Sequence, residues 1–223
     1  MNLRRMGLSL GLVTVMSLAT AQAASAVTIL VFGQNGTAQT VTATTNVGNT
    51  VTTITGTDIA VTLTALENGA PGTQAFLDFT FTSDGAATAN LGNIDQSFQG
   101  TFSFNSLANN TGTNFLSGNF NDLASGAAGG NQLTVGAGTP TDTVNFASSV
   151  ITSLGLERSL SIAFTNVLPA LAICGTTLCG FAASVAGNFS GNIGVVQVPE
   201  PVSMLLFGTA LAGLAARRRL RRR

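Results

Sequence analysis

Apolar and polar residues alternate through most of the chain from Val27 to Val195. Successive side chains of a strand point to opposite faces, so such alternation marks half-buried strands. Two runs, 27–32 and 37–44, flank Asn35-Gly36, a pair that tolerates positive φ and predicts a β-hairpin. Strands follow at 50–55 and 59–66; in the second, Ile59, Val61, Leu63 and Ala65 share one face and Ala60, Thr62 and Thr64 the other. Asn68-Gly69 and Pro71-Gly72 end it by their turn chemistry. In 74–82, Ala75, Leu77, Phe79 and Phe81 face one way, leaving Asp78, Thr80 and Thr82 in solvent. In 97–104, Phe98, Gly100, Phe102 and Phe104 share a face, with Gly100 marking a bulge or a close backbone approach.

The signal weakens over 105–138, where Asn109-Asn110, Asn119 to Asp122 and a Gly/Ala run predict loops with short strands at 114–120 and 132–135. Strands return at 142–151 and 158–166. The longest alternation is the last: Phe181, Ala183, Val185, Gly187, Phe189, Gly191, Ile193 and Val195. Many short strands separated by turn signals predict an all-β fold, an antiparallel sandwich or jelly-roll-like single domain over residues 27–197. Roughly 170 residues suffice for one sizeable core. The chain has 14 Phe and no Trp or Tyr, so phenylalanine is the expected core residue.

The formal net charge of zero averages two basic ends and an acidic middle. Between Val27 and Val198 stand Asp58, Glu67, Asp78, Asp84, Asp95, Asp122, Asp142 and Glu157 against Arg158 alone, eight acids to one base, or net −7. A body of that charge repels nucleic acid, which is excluded as a partner, and anionic lipid.

Both ends have the layout of export signals. Residues 1–26 carry Arg4 and Arg5, an apolar segment from Met6 to Ala19, and small residues ending in Ala24-Ser25-Ala26. This predicts a secretory signal peptide and a Sec-type export partner, with cleavage after Ala26, where Ala24 and Ala26 are the small residues of the site. Ala21-Gln22-Ala23 is a second possible site. At the other end, Val198-Pro199-Glu200-Pro201 precedes an apolar run at 202–216, and Arg217, Arg218, Arg219, Arg221, Arg222 and Arg223 follow. The prolines break any strand, and Pro201 is placed to open a helix. That helix would be about 22 Å long at 1.5 Å per residue, short for a bilayer span, and the arginines supply a cytoplasmic stop signal. An ordinary membrane anchor is the alternative. A signal helix and a short transmembrane helix are thus expected to flank the β domain.

Those C-terminal parts, in this order and at this spacing, resemble the PEP-CTERM protein-sorting signal of Gram-negative bacteria. The resemblance covers 198–223, about an eighth of the chain. It implies an exosortase-like processing enzyme as partner, to which Val198, Pro199, Glu200 and Pro201 are the recognition sequence. It also implies a transient inner-membrane tether through 202–216, then delivery to the cell surface or extracellular matrix.

Candidate chemistry in the body is sparse. Cys174 and Cys179 are the only cysteines, and an even pair in an exported chain points to a disulfide, the alternatives being a redox pair or half of a metal site. The chain has no His, which removes the Ser-His-Asp and Cys-His arrangements and the usual general base. A carboxylate pair drawn from the eight acids would depend on their distances in the fold, and most of them sit where side-chain to backbone hydrogen bonds are expected. No calcium loop of the Asp-x-Asp-x-Asp-Gly kind is present, Asn119 to Asp122 being a weak candidate. No catalytic residue, resident metal or cofactor is expected. The expectation is a non-enzymatic structural or adhesive protein of the cell surface or matrix, with extracellular polysaccharide as a candidate partner. The alternative is a carbohydrate- or calcium-binding β-sandwich module tethered to the envelope.

Overall fold

The computed structural model describes residues 26–152 and 154–193, so the expected signal helix, the sorting motif, the short transmembrane helix and the arginine tail lie outside the described residues. The strands are β1 (Val27–Gln34), β2 (Val41–Thr45), β3 (Thr52–Leu66), β4 (Thr73–Ser83), β5 (Thr88–Asn90), β6 (Asn93–Leu107), β7 (Thr111–Ala127), β8 (Leu133–Gly138), β9 (Thr143–Ala147), β10 (Leu154–Leu168), β11 (Ile173–Cys174), β12 (Thr177–Leu178) and β13 (Phe181–Ile193). All pairings are antiparallel, and the described residues contain no helix.

The all-β, antiparallel expectation holds, and the sheet closes on itself. β6, β4, β3, β1, β13, β10, β8 and β7 follow one another through hydrogen-bonded ladders, and β6 pairs with β7 to complete the ring. Where a sandwich would leave four edges, the long β6–β7 hairpin joins two of them, so the strands form a barrel-like sheet rather than two separate layers. Its turn places Asn109 and Asn110 at φ of 59° and 54°, the double positive-φ geometry that tight hairpins require.

The hairpin expected around Asn35-Gly36 does not form. β1 and β2 both run antiparallel to β13 and to β3, so they are two halves of one stave broken by a loop. The reason lies in their neighbours: β3 spans 15 residues and β13 spans 13, long enough to pair both halves and to bring Leu30, Phe32, Val41 and Ala43 into one core. Gly36 takes φ of 84° in the outward loop, and Asn35 caps it, donating to Gln74 at 2.7 Å and accepting from Thr62 at 2.6 Å. β8 and β9 likewise share one side of β7, opposite Leu123–Ser125 and Ser117–Asn121 respectively.

Residues 50–55 and 59–66 are one strand interrupted by a bulge between Gly56 and Ile59, where Asp58 has φ of 48°. A second irregularity opposite Val31 and Phe32 turns Leu66 inward in place of Ala65. β7, expected as loop with short strands, runs 17 residues. Its Gly and Asn residues carry little strand propensity, and its ladders to β6, β8 and β9 hold it extended.

Phenylalanine rings from opposite walls fill the interior. Phe102 on β6 meets Phe189 on β13 at 4.7 Å between centroids, Phe32 on β1 meets Phe104 on β6 at 4.8 Å, and Phe79 on β4 meets Phe164 on β10 at 5.8 Å. Gly100 and Gly118 take inward positions among these rings. A Cβ on Gly100 would strike Phe81 and the Thr80 carbonyl, and one on Gly118 would strike the Asn145 carbonyl and Phe102. Gly100 is therefore a site of close approach, not a bulge, since the β6–β7 register runs unbroken through it.

One end of the barrel is plugged by the β11–β12 hairpin, whose Cys174 and Cys179 are joined by a disulfide. Buried Thr177 holds the plug: its hydroxyl lies 2.6 Å from Thr52 Oγ1 and accepts from Gln96 Nε2 at 2.8 Å. Gln96 Oε1 accepts the Leu178 N–H at 3.0 Å, and Ser83 Oγ accepts the Thr52 N–H at 2.9 Å. These buried polar groups satisfy one another, as a low-dielectric site demands.

Candidate binding face

The register of the ladders aligns the outward residues of six strands. From β2 through β3, β4, β6 and β7 to β9, one row reads Thr44, Thr53, Thr82, Gln99, Asn121 and Thr143, and the next reads Thr42, Thr55, Thr80, Thr101, Asn119 and Asn145. All twelve are exposed or half-buried and none is charged. With strands about 4.8 Å apart, each row extends about 24 Å, and the rows lie about 6.8 Å apart. Between them the inward positions are Ala43, Ile54, Phe81, Gly100, Phe120 and Val144, so each strand contributes a polar-x-polar triplet anchored through its middle residue. Polar outside and apolar inside is the reverse of a membrane-spanning barrel, whose lipid-facing positions are apolar.

Much of this face has spare hydrogen-bonding capacity. The side chains of Thr44, Thr53, Thr80, Thr82, Gln99, Thr101, Asn119, Thr143 and Asn145 make no hydrogen bond to another of the described residues, whereas Gln34, Asn35, Gln74, Asn105 and Asn110 are engaged in the fold. Of the row residues, Asn121 donates to Asp84 at 2.8 Å and Thr55 to the Thr42 carbonyl at 3.3 Å.

Two grooves open onto the rows. The larger, of 440 Å³, is lined by Gly56, Thr57, Asp78, Phe79, Thr80, Thr101, Phe102, Ser103 and Asn110, a volume within the range of small-ligand sites. The β3 bulge builds one side. Asp58 sends its N–H to Asp78 Oδ1 at 2.9 Å and accepts the Asn109 N–H on its own Oδ1 at 2.6 Å, so the bulge reaches over β4 to the β6–β7 turn. Asn110 Oδ1 accepts from Ser103 Oγ and, at 3.1 Å, from Asn105 Nδ2. Asp78 Oδ2 is buried without a partner. Burial raises the Asp78 pKa above its ordinary 3.8; the bond from the Asp58 N–H opposes the rise and the Asp58 charge adds to it. Asp78, expected in solvent, is thus half-buried in this groove. The smaller groove, of 240 Å³, is lined by Ser97, Asn121, Asp122, Leu123, Thr141, Asp142 and Thr143. There burial raises the Asp122 pKa, the Leu123 N–H lowers it, and the neighbouring Asp142 carboxylate raises it further.

Most of the acids serve the fold. Asp142 Oδ2 accepts the Gly138 N–H at 2.8 Å, Asp95 Oδ1 accepts from Ser125 Oγ at 2.6 Å, and Glu157 Oε2 accepts from Asn192 Nδ2 at 2.6 Å. Among the described residues, no group of three or more His, Cys, Asp or Glu side chains converges as a metal site. Asn119 and Asn121 of the weak calcium candidate stand in the outer rows.

The remaining sequence-derived site residues, Ala24 of the signal site and those of the C-terminal signal, lie outside the described residues. Residues 197–219 match the family model of the PEP-CTERM protein-sorting motif. The chain carries a PEP-CTERM sorting motif. The comparisons with curated proteins and with solved structures find no match to the chain. The PEP-CTERM motif marks a protein targeted to an exosortase, exported, and sorted to the cell surface or a membrane-associated location. It begins four residues after Ile193, the last residue of β13. The sequence reading found this motif and missed the polar face. The triplets Thr53-Ile54-Thr55, Thr80-Phe81-Thr82 and Asn119-Phe120-Asn121 were the available signal, but only the register shows that they align.

Proposed function

We propose that this protein is a non-enzymatic structural or adhesive component of the cell surface or extracellular matrix, exported by Sec-type machinery, tethered briefly in the inner membrane through residues 202–216, and released at Pro199-Glu200-Pro201. The observation that carries the reading is the PEP-CTERM motif set directly behind the barrel's last strand. A cut at 199–201 would leave every described ladder intact, because the final pairs of β13 are Val27↔Gly191 and Leu154↔Ile193. The chemistry of the body agrees with a non-enzymatic role: the chain has no His, and most acids are committed to bonds within the fold. The test is the mass of the C-terminal peptide recovered from extracellular and membrane fractions of the native host. A terminus near 198–201 in the extracellular fraction is expected. An intact Arg223 confined to membranes would overturn release. Deletion of the gene should weaken cell-surface or biofilm cohesion, and unchanged cohesion would count against the adhesive role.

A second reading, a carbohydrate-binding module tethered to the envelope, is favoured by the uncharged face with its unused hydroxyl and amide groups. The calcium form of that reading has no converging ligand group behind it among the described residues.

A further inference from the structure

The larger groove and the rows beside it combine three properties that select a ligand class. The first is periodicity. Hydroxyls and amides repeat every strand, about 4.8 Å, across six strands, which suits an extended polymer whose own polar groups repeat, and gives a compact small molecule too few contacts. The second is charge. No row residue is charged, while Asp78 and Asp122 stand in the grooves of a net −7 body, so an anionic polymer is repelled and a cationic one would settle on the acids and leave the rows unused. An uncharged polymer is left. The third is the groove. Its 440 Å³ is lined by the exposed Thr80 and Thr101 beside Phe79 and Phe102. A polyhydroxylated ring fits that mixture, since its hydroxyls can pair with the threonine hydroxyls and its C–H faces rest on apolar carbon.

We propose that this groove is the primary subsite for an uncharged polysaccharide, with Thr80 and Thr101 bonding one sugar residue and the chain running across the strands along the rows. The inference rests on the carbohydrate-binding reading above and adds the place, the orientation and the charge class of the glycan. Many weak neutral bonds along a polymer replace the aromatic platforms that a chain without Trp or Tyr does not have.

The test is affinity electrophoresis of the full chain, purified after expression and export, in gels containing dextran, galactomannan or hydroxyethyl cellulose, with alginate as the anionic control. Retardation by at least one neutral polymer and none by alginate is expected. T80V/T101V removes two hydroxyls from exposed positions and should weaken retardation by roughly tenfold or more, as two neutral hydrogen bonds imply. T64V, an exposed hydroxyl on β3 off the rows, should leave it unchanged, and circular dichroism checks that each variant is folded. No retardation by any glycan would overturn both the carbohydrate reading and this site. Retardation that survives T80V/T101V would overturn this site alone. Shaping of ice crystals or self-association in place of glycan retardation would reassign the rows to a water lattice or to a second copy, and would equally overturn the proposal.

Discussion

Phe189→Ala tests whether the barrel is held by its ring-packed interior. Phe189 is fully buried on β13, and its ring centroid lies 4.7 Å from that of Phe102, 5.5 Å from Phe104, 5.7 Å from Phe146 and 6.2 Å from Phe32. Truncating a buried phenylalanine costs about 3–5 kcal/mol, the spread reflecting how far the site can collapse. Here collapse is opposed, because the four neighbouring rings hang from β1, β6 and β9, each fixed by its own ladder. Four aromatic contacts are lost as well, so the upper part of the range, about 4–5 kcal/mol, is expected. For a domain of this size each kcal/mol lowers Tm by about 2–4 °C, giving a fall of about 8–20 °C. The chain has no Trp or Tyr to report by fluorescence, so the assay is scanning calorimetry with far-ultraviolet circular dichroism. Phe76, half-buried on the outward face of β4, is the control, and Phe76→Ala should cost about 1 kcal/mol or less. A loss below about 1.5 kcal/mol for Phe189→Ala, or equal losses at the two positions, would refute the argument.

Replacing Cys174 and Cys179 together by serine opens a ring with a sequence separation of 5, and the loop-closure estimate for so short a ring is about 2 kcal/mol, read as a lower Tm; the same shift should follow reduction of the native protein. Thr177→Val removes the hydroxyl that Thr52 and Gln96 share; Thr52 Oγ1 keeps the Leu178 carbonyl and Gln96 Nε2 the Gly85 carbonyl, so one buried Gln96 N–H is left unpaired at a cost of about 1–3 kcal/mol by urea titration. Asp78→Asn should raise Tm at pH 7: burial raises the folded-state pKa above 3.8, so the folded protein holds that proton more tightly than the unfolded chain and loses stability as pH rises through the folded value. The advantage of the variant should vanish below pH 3.8, and a constant difference across that window would show that the carboxyl's titration is not its source.

The strands over 59–66, 74–82, 97–104 and 181–193 are legible in the sequence because an alternating face reports burial directly. What joins them is not, because pairing depends on residues far apart in the chain. Asn35-Gly36 carries the local chemistry of a hairpin, yet β1 finds its partners near residues 61–66 and 186–191, and the long neighbouring strands outweigh a two-residue turn preference. β7 fails in the other direction: its glycines and asparagines read as loop, and its conformation is fixed by β6, with which it pairs from Asn93↔Ala127 to Leu107↔Thr111. The polar face was hidden for the same reason. The sorting motif was legible since it is a contiguous string whose meaning does not depend on contacts.

Closure of the sheet and the composition of its outer wall bear on one another. An open sheet with Thr, Asn and Gln rows would present unpaired backbone edges, and in a crowded extracellular setting those edges are templates for pairing with other chains. Pairing β6 with β7 removes the edge on that side and leaves the outward side chains as the means by which this wall meets its surroundings. The placement of the tail follows the same logic. β13 is an interior stave, bonded on one side to β1 and β2 and on the other to β10, so the strand that precedes the PEP-CTERM motif in sequence is held on both sides. A load applied beyond Ile193 therefore meets a strand anchored by two ladders, and a cut there leaves every described ladder in place.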